Sequence, residues 1–337
     1  MRPEEAMIAF SRDALGLPPS VPITLSPLGK RGSDRAYFRV EWDRGSTAIL
    51  VHYDPKRVEN TYFADIAAFL AGVGIPVPRI VRHDPAACLA VIEDLGDTDL
   101  WSFRLASRET RLALYRKTLA AVHRLHAFPA ASLPRRVRLM ESFGPDLYRW
   151  ERDYFRAYFV KGLCGIELEP GMNRALEAEL SVLADRLAEE RVCLIHRDLQ
   201  SRNVMVRDGA PFFIDFQGMR NGCASYDVGS LLCDPYVSFS DAEREELLFF
   251  YYGLSAQDVD RVAFEQAFWE ASAQRLMQAL GAYGFLGLKK GLHDFLAHIP
   301  SGLANLLLAT GRARSLPRLR ELAEMCRDSN PTTSDRT

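Results

Sequence analysis

The feature that most constrains this chain is one run, residues 193–217, CLIHRDLQSRNVMVRDGAPFFIDFQ. Apolar stretches at 192–195, 204–206 and 212–214 read as three short strands, and Asp208 with Gly209 supplies the turn that closes the last two into a hairpin. A loop leaves the first strand and re-enters the second, with Asp198 and Asn203 at its two mouths. The hairpin then returns Asp215 to the same edge, so three oxygen-bearing side chains are expected to converge in any fold that keeps both strand pairs.

The flanking sequence splits in character. Residues 23–28, 37–42, 47–52, 79–83 and 88–93 read as strands, with a hairpin signature at Asp43, Arg44 and Gly45 and a turn at Asp84 and Pro85. One helix, 60–71, lies among them and is ended by Gly72 and Gly74 ahead of Pro76 and Pro78. Residues 1–17 read as a short amphipathic helix rather than a signal peptide. After Gly96 the pattern turns to long amphipathic helices. Leu112, Tyr115, Leu119 and Val122 form one stripe, and Leu176, Leu180, Leu183 and Leu187 form another.

A chain of 337 residues that is 48% hydrophobic buries a sizeable core and implies two domains or lobes. Its formal charge of −2 excludes a global attraction to nucleic acid or an anionic membrane, so partner preference must come from a pocket. Six cysteines without a CxxC pair speak against a zinc site or a disulfide framework and for reduced thiols in the cytoplasm. No apolar run approaches membrane-spanning length.

Asp198 follows His196 and Arg197 and can accept the hydrogen bond of an incoming hydroxyl, while Asn203 and Asp215 are hard oxygen ligands suited to Mg2+. Phosphoryl transfer asks for little else: an oriented acceptor, metal ions on the phosphates and neutralisation of spreading charge. Each residue alone is an ordinary turn former; the joint spacing fits a kinase catalytic signature.

With these residues in place, the chain resembles the aminoglycoside phosphotransferase and choline kinase superfamily. The segments GSDRAYFRV (32–40), IEDLGD (92–97), RAYFVKGLCGIEL (156–168), HRDLQSRNVM (196–205), IDFQ (214–217), YDVGSLLCDPYVSF (226–239) and QRLMQALGAYG (274–284) are similar to the bacterial kinases of cell-wall amino sugars. Those enzymes phosphorylate N-acetylmuramate and N-acetylglucosamine at the anomeric hydroxyl in peptidoglycan recycling. The resemblance implies an α+β, two-lobed protein-kinase-like fold. Residues 1–95 would form a nucleotide-binding N-lobe with a small antiparallel sheet and one helix. Residues 96–327 would form a larger, mainly helical C-lobe, catalytic and substrate-binding, with a catalytic β-hairpin insert; the polar composition of 328–337 reads as a disordered tail.

Carried over by position, the resemblance makes Asp198 the catalytic aspartate, Asn203 and Asp215 the Mg2+ ligands, and Glu93 to Leu95 an inter-lobe hinge that binds adenine through its backbone. Glu59 matches the helix glutamate that pairs with a lysine in kinases; as a helix-start acid it has an equally ordinary reading. The third-strand lysine of kinases is missing from TAILVHYD. Lys30, Arg31 and Arg35 are the candidate replacements at the phosphates of ATP, with Arg35 preferred because it aligns with an arginine of the amino-sugar kinases. Gln200 stands where protein kinases commonly carry lysine, which tilts against a protein substrate. Arg202 is a cation for the transferring phosphate or an exposed loop charge.

The acceptor is expected to be a neutral or anionic sugar, because residues 271–320 carry seven Lys or Arg and one acid, Asp294, the wrong sign for a polycationic antibiotic. Against that, residues 141–191 hold eleven acids and seven basic residues. Trp150, Tyr154, Phe155, Tyr158 and Phe159 offer a choline cage or helix-core packing. Gln217 and Asp234 are the candidate sugar contacts, and Asp227 is expected to cap a helix and steady the catalytic loop. Alternative acceptors are an aminoglycoside, a choline-like or a homoserine-like molecule, and a nucleotide-binding pseudokinase is the reading from a different class. The protein is expected to act as a monomer or weak homo-oligomer.

Overall fold

The computed structural model describes residues 3–29, 35–43, 45–255 and 259–329. Helix α1 (Pro3–Ala14) precedes strands β1 (Ile23–Pro27), β2 (Ala36–Trp42) and β3 (Ser46–His52), and α2 (Val58–Gly72) leads into β4 (Ile80–Asp84) and β5 (Leu89–Glu93). Helices α3 (Arg108–His126), α4 (Pro145–Phe155) and α5 (Pro170–Glu189) follow, then β6 (Val192–Ile195), β7 (Val204–Arg207), β8 (Ala210–Phe213) and β9 (Arg220–Cys223). The chain continues through α6 (Ala224–Leu232), α7 (Asp241–Ser255), α8 (Arg261–Lys290), α9 (Ile299–Ala313) and α10 (Pro317–Ser329). It divides into two compact units. One holds the residues up to Thr98 with Leu133–Met140 and Met205–Gly218; the other holds Asp99–Ser132, Glu141–Val204 and everything from Met219 onward.

In the first unit five antiparallel strands lie in the order β1-β2-β3-β5-β4. The run TAILVH reads as nearly continuous apolar because both faces of its strand are covered. Alternation sends Ala48 and Leu50 to one face, where Met7, Phe10 and Ala14 of α1 pack, and Ile49 and Val51 to the other, which Phe63 of α2 covers. Helix α2 ends where Gly74 takes φ +75°, and Ile75 returns a hydrogen bond to the carbonyl of Leu70. Asp208 and Gly209, with φ of +53° and +68°, make the tight two-residue turn between β7 and β8. The sequence reading placed Ile214 in the last strand of this hairpin; the strand stops at Phe213, whose N–H bonds the carbonyl of Pro76.

The second unit is built around α8. Every residue of α8 from Ala267 to Leu280 is buried, as befits a helix with partners all round. Its neighbours α4, α6 and α9 approach closely: a Cβ on Gly281 would lie 2.9 Å from the Cα of Phe155, and one on Gly229 of α6 would lie 2.6 Å from Ser272 Oγ. Phe155 and Phe159 are stacked in the core, so of the aromatic run only Trp150 is well exposed. Strand β6 pairs antiparallel with β9, a partner the sequence reading did not identify. Helix α10 runs to Ser329, and residues 330–337, expected as a tail, lie outside the described residues.

Candidate active site

Asp198 and Asn203 belong to the second unit, where the loop after β6 is held from several sides. Asp227 of α6, fully buried, accepts the N–H of His196 at 2.6 Å and of Arg197 at 2.8 Å. These bonds hold Arg197 at φ +78°, a conformation that a side-chain-bearing residue adopts only under constraint. Asp227 also receives His126 Nε2 at 3.1 Å, and His126 Nδ1 meets the Tyr251 hydroxyl at 2.6 Å. The expected brace is therefore present, but the expected cap is not. Asp227 lies inside α6, whose N-cap position is Cys223.

Within the loop the Asn203 amide donates from Nδ2 to the Asp198 carbonyl at 3.0 Å. That bond uses the amide nitrogen of Asn203, so its oxygen is the hard group it can offer a cation. The Asp198 carboxylate receives Arg275 of α8, Nη2 to Oδ1, at 2.5 Å. Asp234, expected to touch sugar, is instead fully buried and accepts the N–H of Ser201 at 2.7 Å and of Tyr236 at 3.0 Å. Burial pushes its pKa up to about 6, against the opposing pull of those hydrogen bonds. Arg202 pairs with Asp99 at 3.0 Å and lies over the Trp101 ring at 3.8 Å.

Asp215 belongs to the first unit. The chain enters the β7–β8 hairpin one residue after Asn203 and leaves it just before Ile214 and Asp215. Asp215 sits at φ +63°, and its Oδ1 receives both the Arg35 guanidinium and Gln217 Nε2, the latter at 2.9 Å. Arg35, expected at the phosphates, is thus paired with the expected metal ligand. Burial works to lower the Arg35 pKa, but the charge and hydrogen bond of Asp215, with Tyr37 and more weakly Glu59, outweigh it and the net shift is upward. Glu59 lies in the first turn of α2 and pairs with Arg57 at 3.7 Å. Lys30 and Arg31 lie outside the described residues.

The 93–95 segment is anchored rather than loose. Glu93 accepts the N–H of Arg79 at 3.0 Å and pairs with Arg207 at 2.8 Å. Burial raises its pKa in part, and these donors outweigh that and bring it below the usual value. Asp94 grips Arg39 at 2.7 Å, and Leu95 is buried. The basic C-terminal stretch is largely spent on partners: Arg312 pairs with Asp241, Arg318 with Glu321 and Arg320 with Glu324. Sequence reasoning counted Arg275 only as one charge of that stretch; its position in the amino-sugar-kinase-like segment 274–284 was the signal available.

No helix among the described residues is long and apolar enough to cross a membrane. Residues 24–264 match the phosphotransferase enzyme family. The N-acetylmuramate/N-acetylglucosamine kinase of Pseudomonas aeruginosa is 26% identical over 316 residues, covering 90% of this chain and 88% of that protein. Among solved structures, a choline/ethanolamine kinase family protein from Mesorhizobium loti superposes with TM-score 0.63 at 19% identity, covering 94% of this chain and 99% of the other. An ADP-bound aminoglycoside phosphotransferase superposes with TM-score 0.60 at 14% identity, with coverage of 94% and 99%. These two share the expected protein-kinase-like fold, and the matched family spans well over half of the sequence. The chain belongs to the phosphotransferase enzyme family, and it is an enzyme of the kinase type.

Proposed function

We propose that this enzyme transfers the γ-phosphate of ATP to the anomeric hydroxyl of an amino sugar, N-acetylmuramate or N-acetylglucosamine, in the cytoplasmic recycling of peptidoglycan. The observation that carries the chemistry is the construction around Asp198, whose backbone is tied to Asn203 and whose Oδ1 is tied to Arg275. The choice of acceptor rests on relatives bearing that name, which match 90% of this chain at 25–26% identity.

In this reading Asp198 accepts the hydrogen bond of the sugar hydroxyl and aims its oxygen at the γ-phosphorus. The bond from γ-phosphorus to the bridging oxygen of ATP breaks as the sugar oxygen bonds phosphorus. ADP departs, and the hydroxyl proton passes by way of Asp198 to solvent. Asn203 and Asp215 are the residues that would hold Mg2+, and the ion would supply neutralising charge for the phosphates. Arg35, which pairs with Asp215, is the cation that would serve the phosphates. Glu93 and Leu95 offer backbone groups to adenine, and Arg202 and Gln217 stand as secondary contacts.

A choline-like acceptor is disfavoured because Phe155 and Phe159 are spent in the core. The test is a panel of N-acetylmuramate, N-acetylglucosamine, glucosamine, kanamycin and choline with Mg-ATP, following ADP release. Turnover of the two N-acetyl sugars is expected; turnover of kanamycin or choline alone would overturn the assignment.

A further inference from the structure

We infer that Arg275 is a positioning residue for phosphoryl transfer: its buried guanidinium fixes the Asp198 carboxylate so that Oδ2 is the oxygen presented to the acceptor. This rests on the reading of Asp198 as the residue that orients the acceptor.

The geometry begins in the helix packing. Gly229 lets α6 approach Ser272 of α8, and one turn further along α8 Arg275 reaches the neighbouring Ser230. Arg275 Nε donates to Ser230 Oγ at 3.1 Å, Nη1 is held by Gln278, and Nη2 donates to Asp198 Oδ1 at 2.5 Å. A guanidinium is a rigid plane, so two of its groups are pinned before the third meets the carboxylate. The Arg275 side chain is 8% exposed and that of Asp198 24%. A cation in the middle of a helix buried on all sides is costly unless paired, and the carboxylate that pairs with Arg275 is Asp198.

The other cations near the loop are turned elsewhere. Arg197 points to Glu151 at 3.8 Å and Arg202 to Asp99 at 3.0 Å, while Gln200 brings no charge. With Oδ1 taken, Asp198 has one carboxylate oxygen left, and among the described residues no side chain pairs with it. A carboxylate that is free to rotate would offer either oxygen in many directions; the Arg275 bond selects one. In a transfer that depends on aim more than on base strength, this selection acts on kcat.

The test is a double-mutant cycle of Arg275→Met and Asp198→Asn in the full chain, reading kcat, both KM values and ATP hydrolysis to water. Alone, Arg275→Met is expected to lower kcat about 100-fold and to leave the KM for ATP within about twofold. In the Asp198→Asn background the same change should cost less than about threefold, because the carboxylate it positions is gone. Arg275→Lys should recover part of the loss. Equal losses in both backgrounds, or a raised sugar KM with kcat intact, would overturn the inference. If Arg275→Met does not fold, Arg275→Lys and Ser230→Ala carry the same cycle. Full activity of Asp198→Asn would sink the Asp198 reading and this inference together, whereas an impaired Asp198→Asn with additive losses would sink this inference alone. If the wild type turns over no sugar, only the acceptor assignment fails, and the cycle is read on ATP hydrolysis.

Discussion

Asp227 accepts the backbone N–H of His196 at 2.6 Å, so the first residue of the catalytic-type loop hangs from a buried carboxylate on helix α6. The same carboxylate serves the N–H of Arg197 and the ring of His126. Loop geometry therefore depends on a residue that need never touch substrate.

Removing that anchor should be expensive. Asp227→Ala strands two backbone N–H groups and the Nε2 of His126 in a dry interior, each costing about 1–3 kcal/mol. Thermal and urea unfolding should show a loss of several kcal/mol, and Asp227→Asn a smaller one. A variant of wild-type stability would refute the role.

Asp198→Asn should bind ATP normally and lose roughly 10²- to 10⁴-fold in kcat, the usual contribution of a positioned acid–base group. Isothermal titration with ATP and steady-state ADP release check the two halves of this prediction.

Arg35 and Asp215 should separate kinetically. Arg35→Met removes a charge-assisted contact and should raise the KM for ATP about 10- to 100-fold, in keeping with about 1.5–3 kcal/mol for a hydrogen bond to a charged group. Asp215→Asn should instead raise the Mg2+ concentration needed for half-maximal rate. Titrations of ATP at fixed Mg2+, and of Mg2+ at fixed ATP, distinguish them.

The Asp234 carboxyl has a folded pKa raised from 3.8 to about 6. Between those values the folded protein binds more protons than the unfolded chain, so this group's contribution to stability falls as pH rises through the window. The difference is on the order of 3 kcal/mol. Urea unfolding of wild type and Asp234→Asn from pH 4 to 7.5 should show the wild type losing ground to the variant as pH rises; a pH-independent gap would contradict the assignment.

Gly281→Ala tests the α8 packing. A Cβ there meets backbone atoms of Phe155 at 2.9 Å, which cannot swing aside, so a loss of about 1–3 kcal/mol is expected in thermal unfolding.

Much of this protein was legible from the order of its residues. Period-two alternation and turn chemistry located β1 to β5 and the β7–β8 hairpin within a residue or two, because those signals are local and both faces of β3 announce themselves as an unbroken apolar run. The loop that carries Asp198 and Asn203 and the hairpin that precedes Asp215 were readable for the same reason: strand, loop and hairpin lengths are written in the chain. What the sequence could not disclose was which distant side chains meet. Arg275 reaches Asp198 across 77 positions, and Asp227 reaches His196 across 31. Asp234 was read as a candidate sugar contact; it is fully buried and accepts the N–H groups of Ser201 and Tyr236. Those pairings follow from how α6 and α8 pack, and helix packing is decided by the complementarity of whole surfaces rather than by any local pattern.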